Sequence, residues 1–230
     1  MPSDGAIVTG SGSGIGLSIA RALLDAGWTV TGLDQAPAVI AHPRFQAITV
    51  NLADGAAAGE VAARLAGASA FVHAAGVLRV GTLGTLQPDD GTLMWRLHVA
   101  AAERLANALL PAMAAAGHGR VVLVGSRVAQ GKAGRSQYAA TKAALNGMAR
   151  SWAAEVVARG VTVNVVSPAA TQTAMTDDPA RLAAAPVLPP IGRLIRPDEI
   201  ASLVLFLLSP AAAAITGQDI AICGGASLPR

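Results

Sequence analysis

One cysteine, one tyrosine and an aromatic content of 3% are the scarcest features of this 230-residue sequence. The lone Cys223 cannot form an internal disulfide, which excludes a cystine-stapled scaffold and fits a reducing compartment. No second cysteine and no clustered histidines offer ligand-like spacing, so no metal site is expected. Basic runs are missing too: the net charge is only +3 and the arginines stand singly, which speaks against a nucleic-acid-binding face. The most apolar stretch, 200–208, is too short to cross a bilayer, and the first residues lack the basic and apolar regions of a signal peptide. These absences lead us to expect a soluble cytoplasmic protein folded as a single domain over 1–230, with neither nucleic acid nor membrane as partner.

What is present is a regular alternation. Short β-branched runs at 6–9, 29–33, 47–50, 70–73, 120–125, 161–166 and 219–222 alternate with alanine-rich helical stretches. Nearly continuous apolar strands separated by helices predict a doubly wound α/β fold, a parallel sheet of about seven strands covered by helices on both faces. Two helices, 89–116 and 136–159, carry more alanine and less charge than burial of a single face requires, so a snug core or a partner must cover them. The proline-rich stretch 173–194 breaks the alternation and reads as a substrate lid.

The first strand runs into Gly10-Ser11-Gly12-Ser13-Gly14-Ile15-Gly16, and a helix follows. In that context glycine lets the backbone approach a pyrophosphate, and the free N–H groups at the helix start favour an anion. The same cluster also reads as a plain tight turn. Asp34 ends the second predicted strand, eighteen residues beyond Gly16, where a carboxylate can accept from both hydroxyls of an adenosine ribose and repel a 2′-phosphate. With neither Ser13 nor Gln35 basic, the cofactor reading is NAD rather than NADP, unless Asp34 simply opens the polar loop before Pro37.

Tyr138 and Lys142 stand four residues apart, which puts them on one face of a helix, where the ammonium favours phenolate and lowers the tyrosine pKa. Such a tyrosine is a general acid or base for an alcohol–ketone pair, though a surface tyrosine beside a solvated lysine has the same spacing. Ser126 follows a strand at its carboxyl end, where ligands of such sheets bind.

With T-G-S-G-S-G-I-G at 9–16, Asp34, Ser126 and Y-A-A-T-K at 138–142 in this order, the chain resembles a short-chain dehydrogenase/reductase. V-N-V-V-S-P at 163–168 and T-G-Q-D-I-A-I-C-G-G at 216–225 extend the resemblance over nearly the whole length. It implies a Rossmann-type sheet, a nicotinamide dinucleotide and hydride transfer, with Tyr138 as acid/base, Lys142 holding the nicotinamide ribose and Ser126 positioning the substrate oxygen. It also implies cofactor contacts from Gly10, Ser13, Gly14, Ile15, Gly16, Asp34, from Asn51 and Leu52 at the adenine, from Ala75 and Gly76, from Tyr138 and Lys142, and from Pro168, Thr171 and Thr173. A homotetramer is implied as well.

Several positions depart from the family pattern. His73-Ala74 replaces a usual Asn-Asn, Ala169 a glycine, and His98 the asparagine that completes a catalytic tetrad. Histidine at 98 can hold the same water, pass the proton itself, or only pack beneath the helix. The leading expectation is an NAD-dependent oxidoreductase acting on a secondary alcohol or ketone, and the apolar lid residues Met175, Leu182, Val187 and Leu188 point to a largely uncharged substrate. The competing expectations are a non-catalytic dinucleotide-binding or sensor protein and a methyltransferase, which has no reason to keep the Tyr138–Lys142 pair.

Overall fold

A computed structural model describes residues 5–65, 67–173 and 188–228. Seven strands form one sheet: β1 (Gly5–Thr9), β2 (Thr29–Asp34), β3 (Phe45–Thr49), β4 (Ala70–His73), β5 (Gly119–Val124), β6 (Val161–Pro168) and β7 (Asp219–Ile222). Their order is β3-β2-β1-β4-β5-β6-β7, and every pairing is parallel. This is the expected doubly wound fold. Strand limits differ from the sequence reading by one or two residues, as in β3, expected at 47–50, because the half-exposed Phe45 and exposed Gln46 at its start carry no buried-strand pattern. The chain winds outward from β1 to β3 and then returns to β4 beside β1, and that reversal opens a crevice at the carboxyl ends of the two strands.

Successive strand residues face opposite ways, which is why the strands are apolar throughout. Val8, Val72 and Val122 pack with Ile19 and Leu23 of α1 (Gly14–Asp25) and with Ile200 and Leu207 of a C-terminal helix. Ile7, Phe71 and Leu123 face the other way, against Ala58 of α2 (Gly55–Ala62) and against the two alanine-rich helices. The first of those, read as continuous over 89–116, is interrupted. It consists of α3 (Pro88–Trp95), a π turn at Arg96–Ala100 and α4 (Ala101–Ala115). The second is α5 (Ser136–Val156) with a short 3₁₀ turn at its end, and the C-terminal helix is α6 (Pro197–Leu208). Of the expected lid at 173–194, residues 174–187 lie outside the described residues, and with them Met175, Leu182 and Val187. Among the described residues, no helix is long and apolar enough to cross a membrane.

Candidate active site

The turn after β1 is built from bare backbone. A Cβ on Gly16 would collide with the carbonyl of Gly10, so only glycine lets α1 start this close to the strand it leaves. Gly14 opens α1 with φ +53, and Ser13 caps it in extended conformation without a side-chain bond and with no acid in the first turn. The amides at that helix start are left for an anion. Ile15 is half-buried against the α1–α6 core. A Cβ on Gly14 would lie 3.3 Å from Thr173 Cγ2, so the chain after β6 passes over the same turn.

Asp34, the last residue of β2, is tied to this turn. Its Oδ2 accepts from the Gly12 N–H at 2.8 Å and its Oδ1 from the Ala36 N–H at 2.9 Å, which fixes the carboxylate at the strand end. Asn51 is exposed and its side-chain oxygen accepts from Ala53 N–H, while Leu52 is packed in the core. Pro168 ends β6, and Thr171 donates to the Ala169 carbonyl at 2.9 Å and bridges to Ile195.

The second group gathers at the ends of β4 and β5. Ser126 is 8% exposed, and its Oγ accepts from the Val128 N–H at 3.1 Å. That bond uses the oxygen and leaves the hydroxyl hydrogen for an acceptor in the crevice. Lys142 is buried and donates from Nζ to the Val124 carbonyl at 2.8 Å, and burial pulls its pKa down to about 8. The ammonium lies 5.8 Å from the Tyr138 ring centre. A Cβ on Gly76 would lie 3.1 Å from His98 Nε2 and 3.7 Å from Lys142 Nζ, so Gly76 leaves open the space above the lysine head. The carboxyl ends of these strands thus bring Ser126, Tyr138, Lys142, Gly76 and His98 together.

His98 sits inside the π turn with no exposed surface. Its Nε2 must accept from the Val77 N–H at 3.0 Å, because a backbone amide only donates. The proton is therefore on Nδ1, which donates to Thr141 Oγ1 at 2.9 Å, and Thr141 in turn donates to the Tyr138 carbonyl. The ring meets Tyr138 edge-on at 5.6 Å. Burial first, then the charge on Lys142, hold its pKa well below 6.5. Both nitrogens are engaged by the protein, so neither is left to bind a water or relay a proton.

Sequence reasoning noted His73 only as a departure from a pattern, yet it belongs to the same network. Thr9 Oγ1 accepts from the amides of Ala74 and Ala75, both at 3.0 Å, and so donates its hydrogen to His73 Nδ1 at 3.0 Å. Burial and then the Lys142 charge pull the His73 pKa down to about 3, against the opposing effect of the Leu97 and His98 backbone in the π turn. Thr9 and Thr141 fall inside the motifs at 9–16 and 138–142, but the sequence assigned neither a role. Among the described residues, no group of three or more His, Cys, Asp or Glu is placed to hold a metal ion.

A family model described as enoyl-(acyl carrier protein) reductase matches residues 10–227. The chain is 36% identical to the 2,3-dihydro-2,3-dihydroxybenzoate dehydrogenase of Escherichia coli (strain K12), with 96% of each chain covered. It is likewise 36% identical to a 3-oxoacyl-[acyl-carrier-protein] reductase of Vibrio harveyi, again with 96% of each covered. Among solved structures, a short chain dehydrogenase/reductase family protein superposes with a TM-score of 0.88 at 33% identity, covering 98% of both chains. A 3-oxoacyl (acyl-carrier-protein) reductase from Agrobacterium tumefaciens C58 with NADP bound gives 0.85 at 28% identity, covering 96% of this chain and 93% of that one.

Proposed function

Because the chain belongs to the short-chain dehydrogenase/reductase family and is an oxidoreductase with a nucleotide cofactor, we propose that it interconverts a secondary alcohol and a ketone using NAD(H), with Tyr138 as general acid/base. The residues present fit a dinucleotide: bare glycine backbone at a helix start, Asp34 beside Gly12, and open space at Gly76 above Lys142. When bound, the nicotinamide supplies or accepts the hydride. The observation that carries the reading is the convergence of Ser126, Tyr138 and Lys142 at the carboxyl ends of β4 and β5.

In the reducing direction Ser126 donates its free hydroxyl hydrogen to the substrate carbonyl and holds that oxygen toward Tyr138. The tyrosine hydroxyl gives its proton to the oxygen as the carbon gains the hydride, and the buried Lys142 ammonium stabilises the resulting phenolate. With its pKa near 8, Lys142 is charged at neutral pH. His98 is a positioning residue: through Val77 and Thr141 it fixes the loop after β4 to the turn of α5 that carries Tyr138.

Asp34 supports NAD over NADP. Its carboxylate is held by two amides, and no Lys or Arg occurs among residues 9–16 or 34–37 to meet a 2′-phosphate. The Agrobacterium relative holds NADP, so the preference of this chain rests on its own Asp34. Steady-state kinetics with both cofactors test it. We expect kcat/KM with NADH to exceed that with NADPH by about tenfold or more, as a charge-repelled, unpaired phosphate requires, and Asp34→Ala with Gln35→Arg to narrow or reverse the ratio. Equal efficiency of the unaltered protein with both would contradict the assignment. Assembly as a homotetramer through the alanine-rich α4 and α5 belongs to the same reading, since small side chains permit close helix approach.

A further inference from the structure

Between Glu103 and Glu155 the chain contains no acid but seven Lys and Arg residues. Three of these, Arg127, Lys132 and Arg135, fall in the link that joins Ser126 to Tyr138. The link follows a braced path. Ser126 caps its first turn, the Gly131 amide donates to the Val128 carbonyl at 2.8 Å, the Arg135 amide donates to the Lys132 carbonyl at 3.1 Å, and Gly81 donates to the Gly134 carbonyl at 3.0 Å. The cationic stems therefore leave a fixed backbone, with Arg127 and Arg135 half-buried and Lys132 exposed.

None of the three makes a side-chain hydrogen bond or ion pair with another described residue. Of the charged groups on the segments packed against the link, Arg79 pairs with Asp90 at 3.4 Å, which neutralises both, and Asp89 is exposed in the first turn of α3. Lys132 registers the excess of positive charge: partial burial, then Arg135, then Arg127, lower its pKa. Concentrated like charge without counter-charge disfavours the free protein and is relieved when an anion binds. In the sheet β5 stands two places from β1, so the cluster lies away from the Gly10–Gly16 turn that fits the dinucleotide phosphates.

We propose that Arg127, Lys132 and Arg135 form an oxyanion site that holds a carboxylate or phosphate at the end of the substrate remote from its reacting carbon. The proposal rests on the hydride-transfer reading of Ser126 and Tyr138 and adds a demand to it, an anionic end on the substrate. Guanidinium groups suit that role because they pair with oxyanions through two parallel hydrogen bonds.

Three ketones of matched chain length test it with NADH: 4-oxopentanoate, its isosteric neutral amide 4-oxopentanamide, and 3-oxobutylphosphonate. The wild type should prefer an anion over the amide by about tenfold or more in kcat/KM, mainly through KM, with the preference shrinking as salt is added. Whichever anion is preferred identifies the oxyanion. In the triple variant Arg127→Gln, Lys132→Gln, Arg135→Gln the anion-to-amide ratio should fall toward one. Equal use of amide and anions by the wild type, or a ratio the triple variant leaves unchanged, would overturn the proposal. If no ketone is reduced, the hydride reading fails for these compounds, and calorimetric titration of the NADH-bound protein with both anions decides the oxyanion site alone. Binding that the triple variant loses supports the site, and absence of binding to the wild type overturns it.

Discussion

The turn between β1 and α1 and the stretch from β5 into α5 lie at the same edge of one sheet and meet a ligand in opposite ways. The first presents backbone, with bare glycines leaving room and with the amides at the start of α1, and with Asp34, tied to the Gly12 amide, as the one charged side chain fixed to it. The second presents side chains, with Ser126, Tyr138, Lys142 and three cations that pair with no described residue, in a segment devoid of acid. A dinucleotide is a constant ligand that a fixed backbone shape can hold, whereas a reacting substrate needs proton-bearing groups and specific charge. On the proposed reading, holding the cofactor and performing the chemistry fall mostly to different residues, with Tyr138 and Lys142 the ones expected to serve both.

The comparison breaks most readily at Gly16. Gly16→Val places atoms against the Gly10 and Thr9 carbonyls, so NADH binding should be lost and the protein destabilised by about 1–3 kcal/mol or more, as for overpacked sites. Gly59→Ala, where a Cβ meets nothing, should instead stabilise by about 0.5–1 kcal/mol. Calorimetry of both variants with and without NADH checks the pair, and unimpaired NADH binding by Gly16→Val would remove the backbone argument.

A subtler division appears at Lys142, which the first region has no counterpart for. Its folded pKa near 8 lies below the unfolded value of about 10.4, so the folded state binds fewer protons and burial of the charge opposes folding below pH 8. That opposition is relieved as pH rises from about 8 to about 10.4. The stability of cofactor-free Lys142→Met relative to wild type should therefore be most favourable to the variant below pH 8 and shift toward wild type over that window, while turnover is lost. Denaturant titrations at several pH values read this directly, and a difference that stays flat with pH would mean the lysine is not desolvated.

The smallest expected effect sharpens the role of His98. Because both ring nitrogens are engaged and its pKa is held well below 6.5, His98→Asn should keep the wild-type pH–rate profile. His98→Ala leaves the Val77 amide and the Thr141 hydroxyl without their partner and should lower stability by about 1–3 kcal/mol. Loss of a titration near pH 6–7 in His98→Asn would restore the relay.

How much of this was legible in the sequence follows the same contrast. The seven strands of a parallel sheet could be read because continuous apolar runs alternating with helices have few alternative explanations, whereas the glycine turn and Asp34 each kept a plain structural reading and the strand order came only from the fold. Ser126, Tyr138 and Lys142 became readable only in combination, since each is commonplace alone. The roles of Thr141 and of the pairing of His98 with Val77 could not be read: they depend on where the π turn at Arg96–Ala100 rotates a helix that the sequence presents as unbroken, while the role of Thr9 depends on β1 and β4 being neighbours in the sheet. The cations of the 126–138 link were visible as residues, but only the fold shows that no described acid pairs with them.

The separation of holding from chemistry is tested most directly by measuring NADH affinity and ketone reduction on the same preparation of Tyr138→Phe. Loss of the proton donor should slow reduction by about 10²–10⁴-fold, the usual contribution of a general acid, while the dissociation constant for NADH stays within about threefold of wild type. Retention of most of the wild-type rate would contradict the account, as would a loss of NADH binding that matches the loss of rate.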